Sequence, residues 1–225
     1  MTNMNLVKVG GVCAILLVAF IVVWIILSSA SGVEDNPDNI QAYLQGVHNN
    51  TMYSASGWFA LVGLALVIPA ALGFYQALRD ARRLSLLALV FFLVGVTVTL
   101  ASVGLFVGVE RQLVPSYAAA SEAIKPTLAV VASTLLEAAI WVFSLGLFLS
   151  FGIGAILFGF GTLRTSVVRH WIGWLGVIAG ILMVCFFLGL LSDILKYIGM
   201  VAFILILIWT AAMGVSLLRL RESAV

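Results

Sequence analysis

Apolar residues in this chain do not alternate with polar ones; they run in blocks. Five blocks, at residues 9–29, 55–78, 84–109, 171–191 and 197–218, are set apart by short stretches that hold most of the charges and prolines. A sixth runs from 127 to 163 with Glu137 as its lone charged residue. A helix of about 20 apolar residues crosses a hydrocarbon core of about 30 Å. The five shorter blocks each predict one crossing. The sixth would be about 55 Å long as a helix, far beyond one crossing. It predicts a crossing at 140–163 with a helical extension starting at 127, beyond the membrane. The strand-length alternation of a membrane barrel is absent from the pattern. The expected fold is therefore all-α: one domain over residues 1–225, an integral membrane bundle of six transmembrane helices. The first block ends in small residues, as a signal peptide does, but it exceeds the about 7–15 residues of a signal core. It is expected to stay as an anchor.

Between the first two crossings, Asn36-Pro37-Asp38 has the order of a helix start: a capping side chain, a proline in the first turn and an acid near the positive end. Ile40, Tyr43, Leu44 and Val47 follow at helical spacing. They predict a short amphipathic helix in this first outer loop, lying on the membrane surface. Residues 110–126 form the second outer loop, with room for another helical piece, and Pro126 suits the first turn of the helix that follows.

Composition agrees with the block pattern. The chain is 64% hydrophobic and 9% charged, where soluble domains average about 25% charged residues. Charge also predicts orientation, because cytoplasmic loops collect Lys and Arg. With the N-terminus inside, Lys8, Arg79, Arg82, Arg83, Arg164, Arg169, Arg219 and Arg221 are cytoplasmic, and only Arg111, Lys125 and Lys196 are outside. Most acids fall outside: Glu34, Asp35, Asp38, Glu110, Glu122 and Asp193, against Asp80 and Glu222 inside. Both termini are expected in the cytoplasm, and the chain in the bacterial inner membrane. Its partners are then membrane lipids, with a second copy or another membrane protein as a further partner. No basic patch of the kind that grips nucleic acid is present.

Candidate chemistry is sparse. Counting about twenty residues outward from Arg164 puts Trp141 at the outer interface and Glu137 one turn beyond it. Glu137 then either pairs with Arg111 or Lys125 at the surface, or faces a pocket under the outer loops, where Trp141, Arg111, Tyr43 and His48 are the other candidate lining residues. An acid inside a bilayer is costly unless it faces protein or water. His48 and His170 fall at opposite faces and cannot share a metal, and no cofactor or metal motif is found. No nucleophile–base pair can be drawn, so no enzymatic activity is expected. Small residues at helical spacing predict close helix packing: Gly146, Ser150 and Gly154 on the fourth crossing, Thr97, Ala101, Gly104 and Gly108 on the third, Gly173, Gly176 and Gly180 on the fifth.

These readings favour a non-enzymatic membrane protein, either an accessory or structural subunit or a binder of lipid-like molecules. The alternative is a small transporter or proton-coupled carrier that uses Glu137 in an outer-leaflet cavity. One resemblance bears on the choice. The glycine–aromatic pattern Trp141, Phe143, Leu145, Gly146, then Phe151, Gly154 and Phe158, a basic turn from Arg164 to Arg169, and Trp171, Trp174, Gly176 and Gly180 resemble the bacterial multi-pass membrane proteins grouped as domain of unknown function 4386. That resemblance implies a small inner-membrane protein of several spans. No activity is established for the family, so it carries over no catalytic residue.

Overall fold

The computed structural model describes the backbone of residues 3–189 and 193–220 and the side chains of residues 4–188 and 198–220. Of the charges counted above, Asp193, Lys196, Arg221 and Glu222 lie outside the described side chains, as does the 190–191 end of the fifth predicted crossing. The described chain is helical: α1 (Asn3–Ser31), α2 (Ile40–Val47), α3 (Thr51–Ala77), α4 (Arg82–Gly108), α5 (Val114–Ala119), α6 (Lys125–Leu147), α7 (Ala155–Leu163), α8 (His170–Gly189) and α9 (Asp193–Leu218). Two π-helical segments, Val109–Leu113 and Phe148–Gly154, join α4 to α5 and α6 to α7 without a break in the helical path. Six helical stretches are long and apolar enough to cross a membrane, and two of them, Arg79–Ala119 at 41 residues and Lys125–Leu163 at 39, are far longer than one crossing needs. The protein is a multi-pass helical membrane protein.

Burial supports this. Large apolar side chains such as Val90, Val94, Ile178, Ile181 and Ile204 point away from the bundle and stay about half exposed. A water-soluble protein rarely leaves so much apolar surface open. The interior is instead filled by aromatic rings and small residues. Trp209, near mid-helix in α9, is fully buried and packs edge-on to Phe74 at 5.8 Å between centroids. Phe92 contacts Phe151 and Phe158 at 5.4 and 5.2 Å. Gly176 makes room for Trp209: a Cβ there would lie 2.5 Å from its indole nitrogen.

Of the predicted packing stripes, that on the fourth crossing is in contact. A Cβ on Gly146 would lie 2.7 Å from the Gly95 carbonyl oxygen, Ser150 is fully buried, and Gly154 abuts the Phe92 ring. Gly180 likewise packs on the Gly152 carbonyl, where a Cβ would stand at 2.7 Å. The α4 stripe is a correction. Thr97, Ala101 and Gly104 are exposed, and a Cβ on Gly104 or Gly108 would meet nothing within 4 Å. The contact side of α4 is Phe92, Gly95, Thr99 and Ser102, one step around the helix. On a helix apolar all round, small residues are tolerated on the lipid side too, so spacing alone does not mark the packed face.

The end of the bundle bearing α2 and α5 is capped. Asn50 starts α3 by accepting from the Tyr53 backbone N–H at 3.0 Å, and its amide donates to the Ser31 carbonyl at 3.1 Å, tying α3 to the end of α1. Asn36 accepts from the Asp38 N–H at 3.0 Å ahead of the short 3-10 turn Pro37–Asn39. Helix α2 does not lie apolar side down on a membrane surface. Tyr43, Leu44 and Val47 are each no more than 3% exposed, packed with Val109, Val114, Tyr117, Ala132 and Leu136. The extended α4–α5 and α6 helices supply an apolar surface that α2 covers, and Ser133 donates to the Pro37 carbonyl at 3.1 Å to hold it there.

Candidate functional site

Beneath the cap a cleft of about 230 Å³ opens between α1, α3, α4 and α6. Its polar lining comes from three places. Gly32, with φ +68°, turns the chain out of α1 in a conformation that side-chain-bearing residues rarely adopt. That turn brings Asp35 back over the start of α3. Tyr53, in the first turn of α3, donates its phenol hydrogen to the Asp35 carboxylate at 2.7 Å. Glu110 enters from the π-helical segment at the end of α4 and accepts a hydrogen bond from Ser54. Tyr43 of α2 extends the cluster: its hydroxyl lies 3.2 Å from that of Tyr53, with the rings T-shaped at 6.1 Å.

The electrostatics are one-sided. Two carboxylates line the cleft, and among the described residues neither forms an ion pair. Asp35 is an exposed residue, but protein around its carboxyl still raises its pKa, against which the bond from Tyr53 works. Burial, and beyond it the negative charges of Asp35 and Glu110, push the Tyr43 phenol above its ordinary range despite an opposing bond to Tyr53. Tyr43 therefore remains protonated.

Deeper in, Trp24, Ala60 and Phe143 line both this cleft and a smaller recess of about 30 Å³. The recess is walled by Leu17, Ile21, Leu64, Leu147, Phe203 and neighbouring apolar groups. Its polar exception is Thr210, only 2% exposed, whose hydroxyl finds no partner among the described residues. In that it differs from other helical hydroxyls. Thr99, Ser150 and Thr162 are also buried, and each donates to the carbonyl four residues before it, at 2.9, 2.7 and 2.9 Å.

The five residues expected to line an outer pocket do not meet. Glu137 is exposed on α6, on one face with Val130, Thr134 and Trp141, and has no ion pair among the described residues. Lys125, one of its proposed partners, pairs with Glu122 at 2.7 Å instead. Ile140 and Phe143 of the same helix line the cleft, whereas Glu137 and Trp141 do not. His48 and Arg111 line a separate open groove on the cap, which reaches Glu110 from outside. Tyr43 alone of the five joins the polar cluster. Asp35, Tyr53, Glu110 and Trp24 were not singled out from sequence. Asp35 and Glu110 were visible there only as members of an acidic excess on one side.

With this geometry in place, sequence comparison places the chain in a family. The family described as Domain of unknown function (DUF4386) matches residues 9–220, so the chain belongs to it. Neither a curated protein nor a solved structure matches the chain.

Proposed function

We propose that this member of the DUF4386 family is a non-enzymatic binding protein for a lipid-like amphiphile, held in the cleft beneath the cap. The cap lies on the outer side of a bacterial inner membrane, with both termini in the cytoplasm, as the arginine distribution favours. The observation that carries the reading is the cleft. Its mouth offers Asp35, Tyr53, Ser56 and Glu110, and its inner wall is apolar, from Trp24, Ala60, Val103, Phe106, Ile140 and Phe143. Ligand sites are commonly apolar clefts with a few convergent polar groups. Depth supports the same reading. About twenty residues separate Arg164 from Phe143, so Phe143 stands near the edge of the hydrocarbon core. The polar mouth then lies at the headgroup level and the apolar wall below it within the outer leaflet, the vertical arrangement of an amphiphile's own head and chain. The carrier alternative rested on Glu137, whose exposed position on α6 leaves it without support in the cleft.

Gly57 provides the test. It lines the cleft, and a Cβ added there meets nothing within 4 Å. Gly57→Leu should fill the cleft without disturbing the bundle. Native mass spectrometry of the protein from its own membrane should find a retained amphiphile, and Gly57→Leu should fold equally well and retain none. Equal retention by both would place the ligand elsewhere and remove the proposal.

A further inference from the structure

Resting on that reading, we infer that the head of the bound amphiphile is a cation, of the alkylammonium class. The cleft supplies acceptors and negative charge in excess of what the protein satisfies. A carboxylate has about four acceptor sites on its two oxygens. Asp35 receives a hydrogen bond from Tyr53 and Glu110 receives one from Ser54, both from neutral hydroxyls. Neither carboxylate has an ion-pair partner among the described residues, and the cleft lining contains no Lys or Arg. Arg111, next in sequence to Glu110, lines the outer groove instead. An ammonium group has three donors and one positive charge. It would bridge Asp35 and Glu110 while leaving the Tyr53 and Ser54 bonds in place.

The walls suit the same head. Trp24, Phe106 and Phe143 border the cleft beside the carboxylates. Aromatic faces attract ammonium ions, Trp most strongly, and more so where water is excluded. An anionic or phosphate head would instead meet two like charges.

The test uses the full-length protein in phosphatidylcholine nanodiscs, with dodecylamine, dodecan-1-ol and dodecanoate as probes and native mass spectrometry as the readout. At neutral pH the native protein should retain the amine about tenfold more tightly than the alcohol. The double variant Asp35→Asn, Glu110→Gln should bring that ratio near one while still retaining the alcohol. Gly57→Leu should abolish retention of all three, which separates binding in the cleft from partition into lipid. Asp35→Asn alone keeps an acceptor for Tyr53, and should reduce the ratio by about threefold even if the double variant does not fold. If the native protein retains amine and alcohol equally, or prefers dodecanoate, the cationic head is wrong and the amphiphile site stands. If the single variant leaves the ratio unchanged, the assignment to Asp35 is overturned. If no probe is retained in a Gly57-sensitive way, the amphiphile reading falls as well.

Discussion

The contact between α4 and α6 makes a prediction that can be worked from atomic positions. Gly146 lies against α4 so closely that a Cβ would stand 2.7 Å from both the Gly95 carbonyl oxygen and the Thr99 backbone nitrogen, and closer still to the Thr99 hydroxyl. Two of those three atoms are backbone and cannot rotate away. The third is committed, since the Thr99 hydroxyl donates to the Gly95 carbonyl at 2.9 Å. To restore ordinary contact the helices must part by about 0.7 Å, an overpacking that costs about 1–3 kcal/mol in a close-packed interior. Gly104 is the control. It lies on α4, the other helix of this contact, faces outward and has open space around its Cβ position. Both Gly→Ala changes gain the same helix propensity, about 0.8–1.0 kcal/mol, so the difference between the two variants isolates the packing term. Reversible unfolding by dodecyl sulfate in mixed micelles, followed by helix circular dichroism, should find Gly146→Ala less stable than Gly104→Ala by about 1–3 kcal/mol. If the two variants unfold together, or Gly104→Ala is the weaker, the assignment of the buried side of α4 is wrong.

Other outcomes follow from single contacts. Ser102 donates across the interface to the Ala139 carbonyl at 2.8 Å; Ser102→Ala should destabilise by about 0.6 kcal/mol, and by no more than about 1.7, in the same unfolding assay. Glu137→Gln should leave amphiphile retention unchanged, because the exposed side chain does not line the cleft; a clear loss in retention would contradict its placement. Crowding raises the Asp35 pKa above its ordinary 3.8, so the folded state binds that proton more tightly than the unfolded state does. Stability should therefore be highest below that value, fall as pH rises through the raised pKa, and level off above it. The slope between the two should be missing from Asp35→Asn, and its persistence would assign it to another group. Amine retention should move the opposite way, strengthening as Asp35 loses its proton beside Tyr43, Tyr53 and Glu110, read by repeating the dodecylamine measurement across that range.

The crossings were legible because each needs only a sufficient apolar length, and length survives without knowledge of any partner. Helix starts at Asn36-Pro37 and Pro126 were legible for a similar reason, since caps are local. The packed face of α4 was not. Hydrophobicity marks a buried side only where the other side meets water, and Val90 and Val94 meet lipid. Helical spacing also fails across Val109–Leu113 and Phe148–Gly154, where π-helical geometry shifts the angular register of all later residues. Glu110 sits within the first of these, so its aim into the cleft could not be drawn on a regular helical wheel. Asp35 and Tyr53 meet through a turn that Gly32 permits, across 18 positions of sequence. Glu137 stood out in sequence because charge is rare in its block, but rarity carries no information about which way a side chain points.

The two long helices also have a mechanical meaning. Their close contact at Gly95 and Gly146 lies nearer one end than the other. From Gly95 the helical path rises about 36 Å to the tip at Ala119 and descends about 20 Å to Arg82, at 1.5 Å per residue. Neither arm is free to swing. Below that point Phe92 packs on Gly154, and above it Ser102 is bonded to the Ala139 carbonyl. Higher still, Val109 packs with Ala132 and Leu136. The cleft at Phe106, Glu110, Ile140 and Phe143 is thus framed between two clamps, and its walls stand ready before anything enters.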